Sequence, residues 1–138
     1  EKPVAVQRFA LPGREEARTL LVVEFKHYIV ASTHLSLTAE DRMASLAVID
    51  SVAMAATKPI FIAGDWNATP KSEFGRALGE KMQYLTDTEV CTFPADNPNT
   101  VIDYIVTPRK QAVEILRREV INEPMASDHR PIIAVLRF

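Results

Sequence analysis

Strand-forming segments outnumber helical ones, and the one long helical pattern lies between two of them; together these predict an α+β or mixed-sheet domain. Composition agrees that a packed core can form: 47% of the residues are hydrophobic and 25% charged, near the globular average and far from a disordered chain. At 138 residues the length is that of one domain. Neither a fixed-period repeat nor a low-complexity tract interrupts it.

Taken in order, Glu1 to Gly13, with Pro3, Pro12 and Gly13, reads as an irregular lead-in ending in a turn. Thr19 to Phe25 and Tyr28 to Thr33 are rich in β-branched and aromatic residues, and Lys26-His27 between them fits a tight hairpin. That makes His27 a surface turn residue. A helix begins after Thr38, where Asp41 three positions on makes a capping box with Asp in place of Glu. Met43, Leu46, Ile49, Ala53 and Ala56 recur at helical spacing as its core-facing stripe, and the helix stops before Lys58-Pro59. Ile60 to Ala63 is wholly apolar between Pro59 and Gly64, which suits a central strand buried on both faces. Ser72 caps a second helix reaching about Lys81, and Thr88 to Thr100 is a loop. Val101 to Val106, Val113 to Ile121 and Ile132 to Phe138 are strands, the middle one the weakest.

Charge and cysteine usage narrow the function classes. Sixteen basic residues against 18 acidic ones give a net charge of −2, which argues against a domain devoted to wrapping polyanions. A nuclease gripping only a few phosphates stays compatible. Cys91 stands alone, so there is no internal disulfide and no Cys/His cluster of zinc spacing; it reads as a small buried apolar side chain. No apolar run approaches the roughly 20 residues a membrane-spanning helix needs. The opening on Glu1-Lys2-Pro3 without Met reads as a cut or processed end, which leaves the compartment open: secreted, periplasmic or cytoplasmic.

Four segments share one design, a buried strand followed at once by polar residues able to bind metal or phosphate. They are Thr33-His34-Leu35, Gly64-Asp65-Trp66-Asn67, Ile102-Asp103-Tyr104 and Ser127-Asp128-His129-Arg130-Pro131. Strand ends hold side chains in fixed geometry beside solvent. Singly, each has a bland explanation: His34 as a strand cap, Asp65 and Asn67 as turn formers, Asp128 and His129 as a turn before Pro131. Asp103 resists one, because a carboxylate amid Val101, Ile102, Ile105 and Val106 is costly without a partner. Four accidents in one chain are less economical than one site.

The series THL, GDWN, IDYIV, SDHRP resembles the C-terminal motifs of the endonuclease/exonuclease/phosphatase (DNase I-like) superfamily, and the resemblance runs from about Thr19 to Phe138. It implies half of a four-layer α/β/β/α sandwich: one mixed, mostly antiparallel sheet with helices on one face. It implies a hydrolase that attacks a phosphoester in line with an activated water, using Mg²⁺ or Mn²⁺ as Lewis acid and template. His34 resembles the histidine contacting a non-bridging phosphate oxygen. Asp65 and Asn67 resemble the pair that orients the water and holds the phosphate, and with the carboxylate of Asp128 they resemble the metal-site residues. His129 resembles the histidine that activates the water, and Asp103 the carboxylate that fixes its tautomer. Arg130 faces either the phosphate or solvent.

The family's N-terminal half supplies an Asn and a metal-binding Glu, and neither motif is present here. The chain therefore reads as a C-terminal half whose other sheet face is covered by the missing N-terminal half or by a second copy as a homodimer. The loop Thr92 to Thr100 has no Lys or Arg and one aromatic, Phe93, which tilts the substrate towards a small phosphoester or lipid headgroup and away from nucleic acid. Two rival readings stand beside the hydrolase. One is a non-catalytic half-domain that dimerises or binds phosphate or metal without turnover. The other, a zinc hydrolase using His34, Asp65 and His129, is weaker because no close-spaced His pair exists.

Overall fold

The computed structural model describes every residue from Glu1 to Phe138. The expected hairpin joins β2 (Arg18–Glu24) to β3 (Ile29–His34), closed by a hydrogen bond from the Phe25 N–H to the Tyr28 carbonyl (2.8 Å). His27 is exposed at its tip. Ahead of it lies a strand that the sequence does not announce. β1 (Ala5–Leu11) pairs antiparallel with β2 along its whole length, from Ala5 opposite Glu24 to Leu11 opposite Arg18, which corrects the irregular lead-in expected there. Val6, Gln7, Arg8 and Ala10 are all exposed, so β1 carries no clean alternation; its partner strand decides its conformation.

α1 (Ala39–Ala55) crosses from β3 to β4 (Ile60–Asp65), and these two strands accordingly run parallel. Of its expected stripe, Leu46, Ile49 and Ala53 are buried, whereas Met43 is exposed. The capping box does not form. Thr38 makes no side-chain cap, and Asp41 instead accepts from the backbone N–H and guanidinium of Arg14 and from Ser36 Oγ. A charged, two-pronged donor outcompetes a single amide, and it ties the β1–β2 connection to the start of α1.

α2 (Glu73–Lys81) starts as the sequence predicts, with Ser72 Oγ accepting from the Gly75 N–H at 3.1 Å. It runs straight into β5 (Met82–Tyr84), an edge strand too short to leave a pattern. β6 (Asp103–Pro108) lies between β4 and β5, giving a six-stranded sheet of order β1-β2-β3-β4-β6-β5. Only the β3–β4 pair is parallel. β7 (Glu114–Val120) and β8 (Ile132–Arg137) do not join this sheet; they form a separate two-stranded ribbon.

Alternation along β4 sorts the layers. Ile60 and Ile62 join Leu20, Ala31, Tyr104 and Val106 in a core shared with Leu46, Ile49 and Leu78 of the helices. Burying each of the isoleucine, leucine and valine side chains among them contributes about 1.5–3 kcal/mol. Phe61 and Ala63 take the other face, where the ribbon lies, and the Phe61 and Phe138 rings meet with centroids 4.8 Å apart. An open groove of about 380 Å³, lined wholly by apolar residues including Val30, Ile105, Ala134 and Leu136, runs between sheet and ribbon. The α+β class and a mixed, mostly antiparallel sheet with helices on one face are therefore present, the last two strands forming a layer of their own.

Candidate active site

Register brings the site residues together. In the parallel pair His34 lies beside Asp65, and in the antiparallel pair Asp65 lies opposite Asp103, so the three form a row across β3, β4 and β6. His34 Nε2 is 3.2 Å from Asp65 Oδ2. Carboxylates directly opposite each other repel, and the row stands only because donors surround it. Asp65 Oδ1 accepts from the Asn67 N–H at 2.9 Å. Asp103 Oδ2 accepts from Thr92 Oγ1 at 2.6 Å and lies 2.9 Å from His129 Nδ1. His129 arrives from the irregular segment before β8, and its Nε2 is 3.7 Å from Asp65 Oδ2. Phe93 backs its ring, with centroids 4.6 Å apart.

The Gly-Asp-Trp-Asn turn is fixed from several sides. A Cβ at position 64 would collide with the Thr33 carbonyl oxygen, so only glycine lets β4 pass β3 so closely. Trp66 is fully buried, donates from Nε1 to the Tyr104 carbonyl at 2.9 Å and stacks on the Tyr104 ring. Asn67 holds a left-handed φ of 47°, which asparagine tolerates, and its Nδ2 donates to the Leu35 carbonyl at 2.8 Å. The Thr-His-Leu and Gly-Asp-Trp-Asn segments are thereby bolted to each other.

The side chains of Asp65, Asp103 and His129 are 15%, 14% and 25% exposed, recessed yet open to solvent. Burial foremost raises the pKa of Asp65, with the charge of Asp103 adding and the Asn67 N–H opposing. For His129, desolvation works against the charged ring, but the hydrogen bond and charge of Asp103 prevail, and its pKa rises.

Four of the expected residues therefore form one cluster: His34, Asp65, Asp103 and His129. Asn67 lies beside them with its amide NH₂ engaged by Leu35. Asp128, expected as a metal carboxylate, is exposed and stands outside the cluster, its carboxylate accepting from Ser127 Oγ at 3.3 Å and its carbonyl from the Ala95 N–H. Arg130 lines the same recess, and its Nε donates to the Ala95 carbonyl at 2.8 Å. Sequence reasoning assigns no site role to Thr92 or Phe93: a threonine and a phenylalanine in a loop carry no pattern that marks them. The chemistry of the donor set fits a hard divalent cation. Asp65, Asp103 and His129 offer ligand atoms within 4.8 Å of one another, and Asp65 Oδ2 faces His34 Nε2 at 3.2 Å and His129 Nε2 at 3.7 Å.

The chain belongs to the endonuclease/exonuclease/phosphatase family, whose sequence profile matches residues 3–129. Solved structures repeat its fold. The endonuclease/exonuclease/phosphatase from Bacteroides vulgatus superposes with a TM-score of 0.82 at 19% identity, over 99% of this chain and 66% of that one. For the Bacteroides thetaiotaomicron mannosyl-6-phosphatase the values are 0.80 and 15%, over 99% and 67%. For D. rerio TDP2 complexed with single strand DNA product they are 0.76 and 18%, over 99% and 68%. The chain thus spans about two thirds of the length of the structures it matches. No curated protein matches it. No helix is long and apolar enough to cross a membrane.

Proposed function

We propose that this chain carries the water-activating part of a divalent-metal-dependent phosphoester hydrolase. One observation supports this most: His129 is held at 2.9 Å by Asp103 with its other ring nitrogen turned to Asp65, inside a recess at the ends of three strands. A histidine so placed takes the proton of an attacking water, a contribution of about 10²–10⁴-fold. His34 lies where it would touch a phosphate oxygen, and Asn67 keeps its side-chain oxygen free for water or phosphate. Asp65 would hold Mg²⁺ or Mn²⁺, which would supply Lewis-acid polarisation of the phosphate; Asp128, the other carboxylate expected at the metal, lies outside the cluster. The family's Glu ligand would come from outside this sequence.

Matched structures include a mannosyl-6-phosphatase and a protein with bound DNA product, so fold alone does not choose the substrate. The loop Thr92 to Thr100 tilts the reading towards a small phosphoester or lipid headgroup, because it has no cation and its one aromatic, Phe93, packs against His129. We place the remainder of the family's fold, or a second copy of this chain, on the apolar groove between sheet and ribbon.

The test is hydrolysis of bis(p-nitrophenyl) phosphate by the complete gene product with Mg²⁺ or Mn²⁺. Turnover should vanish with EDTA and fall at least about 10²-fold in His129→Ala. The 138-residue chain alone should turn over feebly or not at all. A complete product that binds metal or phosphate without turnover would establish the rival, non-catalytic reading, which the missing Glu supports for the 138-residue chain alone.

A further inference from the structure

Thr92 has a polar side chain at 0% exposure, beneath the Asp103–His129 pair. Its Oγ1 lies 2.6 Å from Asp103 Oδ2 and 3.3 Å from each of the backbone nitrogens of Ile102 and Asp103. A hydroxyl has one proton to give and two lone pairs to receive with. The two amides can only donate, so they occupy the lone pairs and leave the proton one destination, Asp103 Oδ2. A carboxylate receiving at Oδ2 from Thr92 is an acceptor there, and His129 Nδ1 faces it at 2.9 Å from Oδ2 and 3.1 Å from Oδ1. The ring proton therefore sits on Nδ1, and Nε2, the nitrogen turned to Asp65, is left as the basic one.

The main chain of the same residue orients the other partner. The Thr92 carbonyl accepts from the Arg130 N–H at 2.8 Å, and the Ala95 N–H donates to the Asp128 carbonyl at 2.7 Å. His129 lies between these two anchor points, on a segment without regular secondary structure. Asp103 and His129 come from different layers of the molecule and are both referenced to one threonine.

We infer that Thr92 is a positioning residue, whose hydroxyl fixes the proton arrangement of the Asp103–His129 pair and whose carbonyl fixes the segment carrying His129. The inference rests on the pair's proposed role as water activator. It is tested in the complete gene product by Thr92→Val, Thr92→Ala and Thr92→Ser. With ¹⁵N-labelled histidine, the downfield Nδ1–H resonance that disappears in His129→Ala should shift or be lost to solvent exchange in the Val and Ala variants and persist in Ser. Against bis(p-nitrophenyl) phosphate, kcat should fall about 10–100-fold in Val and Ala with KM nearly unchanged, and recover in Ser. A folded Val or Ala variant with unaltered resonance and kcat would overturn the inference, as would losses that track only the melting temperature. If the wild type hydrolyses no phosphoester, the proposed function fails, and the resonance comparison still decides whether Thr92 sets the tautomer.

Discussion

Asp103 was legible in the sequence because a charge within an apolar strand has few excuses, and His129 because it falls in so specific a motif. The structure gives the pair its contact, Nδ1 to Oδ2 at 2.9 Å. What could not be read was the support: Thr92, Phe93 and the Leu35 carbonyl act through loop geometry, which no periodicity encodes. Two outcomes follow at this scale. Asp103→Asn keeps a side chain of the same shape but cannot offer two acceptor oxygens to Thr92 and His129. Its kcat should drop by about 10²-fold or more while KM stays within a few-fold, measured in steady-state assays of the complete gene product. Asn67→Ala should impair both constants, because it frees the Leu35 carbonyl and abandons the left-handed φ of 47° that asparagine tolerates. An unchanged Asp103→Asn turnover would make that aspartate structural.

Among the elements, β2, β3, β4 and α2 followed from alternation, apolar runs and the Ser72 cap, as their observed bounds confirm. β1 and β5 did not, because edge strands this exposed or this short take their conformation from a neighbour. The junction of β3 and β4 is the tightest. With a Cβ at position 64 driven into the Thr33 backbone, Gly64→Ala should lower the urea midpoint markedly, a loss of about 1–3 kcal/mol or more. The Arg14–Asp41 clamp at the start of α1 predicts an acid dependence. Hydrogen bonds from Arg14 lead the causes that pull the Asp41 pKa down to about 2. A depressed carboxylate pKa stabilises the fold above its ordinary value near 4, and that stability fades as pH falls through about 2. Urea midpoints measured between about pH 5 and pH 2 should therefore fall less steeply in Arg14→Ala than in the wild type.

At the scale of the molecule, the face opposite the helices is only half dressed. The ribbon covers part of it, the groove of about 380 Å³ stays open, and Ile115, Leu116, Ile133, Val135 and Phe138 are exposed. Light scattering on the purified chain, with mass spectrometry for any co-purifying fragment, should find that face covered by a partner burying at least about 2,000 Å². A stable monomer with nothing bound would show that the groove needs no cover.

The layering also sets a thermodynamic linkage. Asp103 belongs to the large sheet and His129 to the root of the ribbon, whose far end is anchored by Phe138 on Phe61 and Tyr28. The pair is thus a clasp between two leaves of the protein. A guest in the groove that spreads or closes the leaves changes the clasp, and an occupant of the recess that tightens the clasp must change the guest's affinity by the same factor.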